Sequence, residues 1–195
     1  MNQYPYLVHD DQKALEHWHQ WLDDNRGDRA RLRRAEGPED ILLTDAFFHF
    51  LEKMPDTGLW RDEILISASV AGALSHVKTH KLNASQIYKT KNIDNTAKNA
   101  SFAEQLATPS EGKGKAPMSE LRFQQLQKSK TIDDFYRRIL RAIRLLDGNV
   151  NILSLANDII HWHREFEHAF DRNPNKRLVV RWATDYFTAL ANLKS

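Results

Sequence analysis

Arg137, Arg141 and Arg144 recur at helical spacing within residues 131–147. At about 100° per residue they share one side of a helix, with Arg138 at its edge. Ile132, Phe135, Ile139, Ile143 and Leu146 fall on the opposite side. The apolar side can anchor the helix in a core, which leaves the basic side facing outward. Guanidinium forks match phosphate oxygens and can bridge two of them. Arg137 to Arg144 covers only about 10 Å of helix rise. A long polynucleotide track would therefore need a second element or a second copy. A solvated helix face explains the stripe equally well.

Other basic sets lie elsewhere along the chain. Arg29, Arg31, Arg33 and Arg34 fall within six residues, and Arg122 and Lys128 flank a Gln-Gln-Leu-Gln segment. Arg164, Arg172, Lys176, Arg177 and Arg181 add charge, with Arg181 spaced to pair with Asp185. Trp18, Trp162 and Trp182 fall on apolar helical sides, and Trp60 is placed as a hydrophobic staple. These positions favour packing over base stacking, so the pattern points to backbone contact with little base readout.

Enzymatic chemistry finds less support. Of nine histidines, only His76 and His80 have i, i+4 spacing. His17 and His19, like His161 and His163, are two apart and diverge on a helix. No His-Glu-Xaa-Xaa-His run, phosphate-binding Gly-Lys loop or dinucleotide Gly pattern occurs. Asp158 could reach His161 along a helix, yet no nucleophile or second acid accompanies the pair. The reading is a non-enzyme with no cofactor and no metal site.

A helical rhythm runs through most of the chain. Leu15, Trp18 and Leu22 mark a first helix over about 10–25, stopped at Arg26 and Gly27. A basic helix follows from Asp28 until Gly37-Pro38 breaks it. Thr44 caps an aromatic helix carrying Phe47, Phe48, Leu51 and Met54, closed by Pro55. A further helix begins near Trp60 and runs toward Val77. Its Ala68, Ala71 and Gly72 predict close helix–helix contact. Residues 79–100 read as a long polar excursion with one weak helix, 101–107 as ordered, and 108–117 as a mobile loop. Lys113 and Lys115 in that loop could close on an anion or simply be solvated.

Downstream, Ser119 starts a helix of about ten residues. Thr131 caps the next, with Asp134 at the capping-box position, and Gly148 suits its end. A third helix spans about Asn151–Ala169, burying Leu155, Ile159, Trp162 and Phe166. Asn173-Pro174 starts the last helix, lined inside by Leu178, Trp182, Tyr186 and Ala189. The expected architecture is all-α: an N-terminal helical lobe over 1–107, the 108–117 loop, and a C-terminal antiparallel bundle over 118–195.

Composition fits a folded soluble protein, with 41% hydrophobic residues and mean hydropathy −0.63 over 195 residues. There is no Cys, so neither disulfides nor thiolate zinc sites can form. No apolar run is long enough for a membrane span and no secretory pattern opens the chain, so a cytoplasmic location is expected. Net charge is only +2. From residue 118 onward, 13 Lys or Arg stand against 9 Asp or Glu, a net of +4 that leaves −2 for 1–117. Binding must therefore come from arranged patches and not from an overall field.

Several segments, in their order and spacing, carry a family resemblance. They are Trp-His-Gln-Trp-Leu, Ala-Arg-Leu-Arg-Arg-Ala at 30–35, Phe-His-Phe-Leu, Ser-Phe-Ala-Glu-Gln-Leu-Ala at 101–107, and Ser-Glu-Leu-Arg-Phe-Gln-Gln-Leu-Gln-Lys-Ser at 119–129. Ile-Leu-Arg-Ala-Ile-Arg-Leu-Leu at 139–146 and Ile-Leu-Ser-Leu-Ala-Asn-Asp-Ile-Ile-His-Trp at 152–162 complete the set. Together they resemble the Cse2/CasB family, the small subunit of the type I-E CRISPR surveillance complex, Cascade. The resemblance implies a non-enzymatic helical protein, paired head-to-tail with another copy inside a complex that has backbone and large subunits. It also implies basic patches that hold the crRNA–target DNA hybrid and the displaced strand, stabilising the R-loop. By position, Arg33, Arg34, Arg122, Lys128 and Arg141 match the family's basic segments. Arg137 and Arg144 are added from helical geometry. The 83–100 excursion, the Gly-Lys-Gly-Lys loop and Gln-Leu-Gln depart from the commoner pattern. A helical scaffold meeting acidic protein surfaces and an independent DNA-binding protein are the alternative readings.

Overall fold

The computed structural model describes residues 3–82, 99–110 and 114–194. The first half begins with α1 (His9–Asp24), α2 (Arg26–Arg34), α3 (Pro38–Ile41), α4 (Asp45–Lys53), α5 (Leu59–Asp62) and α6 (Ile64–Ser75). A two-residue strand, β1 (Thr79–His80), and a short α7 (Phe102–Ala107) follow. Then come α8 (Glu120–Gln127), α9 (Ile132–Leu145), β2 (Asn149–Val150), α10 (Ile152–Phe166) and α11 (Leu178–Lys194). The expected all-helical architecture holds: an N-terminal helical cluster packs against the C-terminal helices.

Two helices organise it. In α6 every residue from Ile66 to Ser75 is buried, and in α10 every residue from Ile152 to His163. Helices that are buried all round must satisfy their polar groups internally. Ser67 Oγ donates to the Trp60 carbonyl, Ser69 Oγ to Leu65 and Ser75 Oγ to Gly72. α6 packs on α10, and α2, α3, α5 and α9 lie around it. The close contact expected of its small residues is present at Gly72. A Cβ there would collide with the Tyr136 hydroxyl and with Ile41 Cδ1.

Asn151 begins α10 and joins distant segments. Its Oδ1 accepts from the Leu153 and Ser154 amides, and its Nδ2 donates to the Tyr4 hydroxyl and the Ala100 carbonyl. The Asn151 amide donates to Gln105 Oε1, and Gln105 Nε2 donates to the Lys81 carbonyl. Asn151 and Gln105 thus tie the chain start, α7 and the residue after β1 to the start of α10. Gly148, at φ 80°, closes α9 through its amide to the Ile143 carbonyl. Its own carbonyl accepts from Lys78 and Thr79, which starts the parallel pairing of β1 with β2.

Several boundaries depart from expectation. The chain breaks only at Asn25, and α2 restarts at Arg26 with Gly27 inside it. The helix expected from Trp60 is two, split at Glu63, and Trp60 lies in the first of them, fully buried with Nε1 donating to Asp11 at 2.8 Å. The weak helix placed within 79–100 falls mostly on 83–98, outside the described residues, while Thr79 and His80 form the unforeseen strand. Asp134 closes no capping box. Its carboxylate binds Arg138 Nε at 2.8 Å, although Thr131 Oγ1 does accept the Asp134 amide. The reciprocal box forms instead at Ser101 and Glu104. Asn173-Pro174 starts a 3-10 turn, and α11 begins only at Leu178. Phe166, expected inside, is 41% exposed.

The Asp158–His161 pair also dissolves. Asp158 accepts from Trp182 Nε1 at 2.8 Å and from Asn157 Nδ2, and burial pushes its carboxyl up to about 6. His161 instead faces Glu165 through Nε2 at 3.0 Å and Arg181 through Nδ1 at 3.2 Å. Arg181 therefore meets a neutral ring and not Asp185. Glu165 Oε1 also accepts the Leu178 amide, fixing the start of α11. His163 Nε2 faces Ser69 Oγ at 3.0 Å across the α6–α10 contact. Burial holds both imidazoles down at about 4.

Two outcomes follow from this packing. Gly72→Ala forces Tyr136 and Ile41 aside and lowers unfolding free energy by about 1–3 kcal/mol, read from urea denaturation. The second concerns acid. An imidazole depressed in the fold takes its proton more readily when unfolded, so stability is retained above the ordinary value near 6.5 and lost as pH falls toward about 4. His163→Gln keeps an amide toward Ser69 but does not titrate. It should remove about 3 kcal/mol of the stability difference between roughly pH 7 and pH 4. An unchanged pH profile in that variant would show that the fold does not depress His163.

Candidate nucleic-acid interface

α9 is held by its apolar side. Phe135, Tyr136, Ile139, Leu140, Ala142 and Ile143 are buried, and Phe135 stacks on Trp162 of α10 at 4.0 Å with planes 3° apart. α8 is held on α11: Phe123 stacks on Tyr186 at 3.9 Å, and the Tyr186 hydroxyl donates to the Met118 carbonyl at 2.6 Å. Once these rings are fixed, Arg122, Arg137, Arg141 and Arg144 have only solvent to face, and all four are exposed.

Between the two helices lies a groove of about 370 Å³. Arg122, Arg138, Arg141 and Arg144 wall it over an apolar floor of Met118, Leu126 and Leu145. Arg122, Arg141 and Arg144 form no ion pair among the described residues. Arg138 is held by Asp134, whose carboxyl this contact keeps below its ordinary value. Three of the arginines expected from the sequence therefore converge. Arg137 and Lys128 are exposed but stand outside the groove lining, Lys128 at the end of α8. Arg138, taken as an edge residue, belongs to the site. With Arg141 and Leu145 it makes an i, i+3, i+7 row, a signal present in the sequence. Lys115 lines an adjoining depression that shares Leu145, whereas Lys113 lies outside the described residues.

The α2 set divides. Arg31 is tied to Asp45 at 2.9 Å and Asp28 at 3.4 Å, and Arg29 to Asp23 at 2.8 Å. Arg33 and Arg34 are exposed and form no ion pair among the described residues. They share a shallow depression of about 700 Å³ with Arg26, Arg29 and Asp23. Partial burial, then the field of Arg29, pushes the Arg33 guanidinium down from its ordinary value. An anion there would relieve that repulsion. Arg26 carried no distinguishing sequence signal.

Among the described residues no group of three or more His, Asp or Glu is placed to hold a metal ion. No described helix is long and apolar enough to cross a membrane.

A family model described as CRISPR-associated protein Cse2 matches residues 28–187. That span contains Arg33, Arg34 and all of α8 and α9. No curated protein and no solved structure matches the chain.

Proposed function

This chain belongs to the CRISPR-associated Cse2 family, a family of non-catalytic Cascade subunits, and on that premise we propose that it is an electrostatic clamp on the R-loop. Arg122, Arg141 and Arg144, which form no ion pair among the described residues and gather on one groove, carry this reading. Arg33 and Arg34 supply a second phosphate contact, and Lys128 and Arg137 extend the first. The ligands are the crRNA–target DNA hybrid and the displaced strand. Forming an R-loop exchanges duplexes of nearly equal stability, so a few phosphate contacts tip the balance without reading sequence. Apolar side chains left outside the core, Leu43 at 86% exposed and Leu121 at 67%, suit protein neighbours. These would be a second copy placed head-to-tail and the backbone and large subunits of a cytoplasmic complex.

Replacing Arg33, Arg34, Arg122 and Arg141 with Ala leaves the fold intact, because each is exposed. In the assembled complex with guide and target, R-loop lifetime should shorten. The slope of log affinity against log salt should fall by about 0.7–0.9 for each phosphate that the protein no longer neutralises. Unchanged lifetime and slope overturn the clamp. Normal DNA affinity with poor subunit incorporation identifies a protein-binding scaffold instead. Tight salt-sensitive duplex binding by the isolated chain identifies an independent DNA binder.

A further inference from the structure

The groove between α8 and α9 holds more than charge. Its apolar floor of Met118, Leu126 and Leu145 is set by the core, before any ligand arrives. The Met118 amide donates to the Leu106 carbonyl at 3.0 Å, and the Met118 carbonyl accepts from the Tyr186 hydroxyl. Leu126 is 1% exposed and Leu145 is half-buried. Two of the lining side chains have no evident part in holding a phosphate. Gln125 stands on the same side of α8 as Arg122, one turn on. It is exposed, and its amide makes no hydrogen bond among the described residues. Arg138 stands in the α9 wall with its charge matched by Asp134, Nε to Oδ1 at 2.8 Å. That contact holds the guanidinium plane in place while satisfying its charge.

A phosphate backbone alone uses Arg122, Arg141 and Arg144 and leaves the floor, Gln125 and Arg138 without a role. A duplex hides its base faces in the stack and shows only base edges and phosphates. An unpaired nucleotide brings a flat apolar face, a polar edge and a phosphate on either side. At about 370 Å³ the groove lies near the lower end of the range for pockets that enclose a small organic group, about 300–1,000 Å³. We propose that it is a pocket for one nucleotide of an unpaired strand. The base lies over Met118, Leu126 and Leu145 against the guanidinium plane of Arg138. Gln125 hydrogen-bonds its edge, and Arg122, Arg141 and Arg144 hold the flanking phosphates. This rests on the clamp reading and adds to it a contact with a base and a preference for unpaired strand over duplex. An acidic peptide with an apolar side chain matches the charge and the floor, but it gives the fixed plane of Arg138 no flat face to stack on.

The test titrates the full-length protein at low salt with an oligo-dA strand and with an abasic strand of the same length and charge. The methyl resonances of Met118, Leu126 and Leu145 are followed by NMR, which reads weak binding as well as strong. Saturating oligo-dA should shift these methyls through the ring current of the base, whereas the abasic strand should not. Oligo-dA should bind about tenfold more tightly than the abasic strand, the scale of one stacked base. Arg138→Lys keeps a charge opposite Asp134 but removes the plane, and Gln125→Ala removes the edge contact. Each should lower that ratio by about threefold or more. Methyls unmoved by saturating oligo-dA, equal affinity for the two strands, or the wild-type ratio in both variants overturns the proposal. So does tighter binding of a duplex of the same length, or of a Glu-rich peptide carrying Leu. In any of these cases, abasic binding that weakens in an Arg122→Ala, Arg141→Ala double variant spares the clamp. No binding of any strand by the wild type, or binding unaltered in that double variant, sinks both.

Discussion

Two helices in this protein have no side facing water, and that constraint governs the rest. α6 is apolar or small nearly all round and α10 is buried along almost its whole length, so their polar groups have to find partners within the protein. Ser69 and His163 do so across the contact between them. Asn151 uses its amide group on four partners from three parts of the chain. Asp158 is fully buried and is made tolerable by Trp182 and Asn157. These residues look like candidate chemistry when read singly. In place they are the means by which a dry helix pair accommodates polar atoms.

Most of the remaining helices lay one side on this pair, and α8 lies on α9 and α11, which is why charge collects on their other sides. The stacked Phe135–Trp162 and Phe123–Tyr186 rings fix the rotation of α9 and α8. Rotation then decides which arginines share a groove. Local carboxylates decide which remain available for a ligand. Arg31 and Arg29 are neutralised by Asp45, Asp28 and Asp23, while Arg33 and Arg34, only a few residues on, have no such pair among the described residues. A charge count along α2 would credit all four equally. For a family whose members act without catalysis, such selection among identical side chains is where the surface acquires its character.

Much of this was legible in order along the chain. The amphipathic period of α9, the Thr44 and Thr131 caps, the Gly148 terminus and the small residues of α6 all act within a few residues, and all appear where expected. So does the Arg141–Arg144 face, since helical spacing alone places it. The failures share a cause as well. Asn173-Pro174 has the local form of a helix start, yet Glu165, from the preceding helix, moves that start to Leu178. Asp134 has the position of a capping-box acid, but Arg138 one turn on competes for it.

The sequence by itself determined that the chain is helical, which side of each long helix is buried, and that basic residues stand on the opposite side. Those facts depend on side-chain period and capping, which are short-range. Only the tertiary structure decided that α8 and α9 share a groove, that Arg138 joins its wall, and that Asp158 and His161 turn to different partners. These are meetings between residues far apart in the chain, and they are fixed by how rings and small residues pack, which no local spacing encodes.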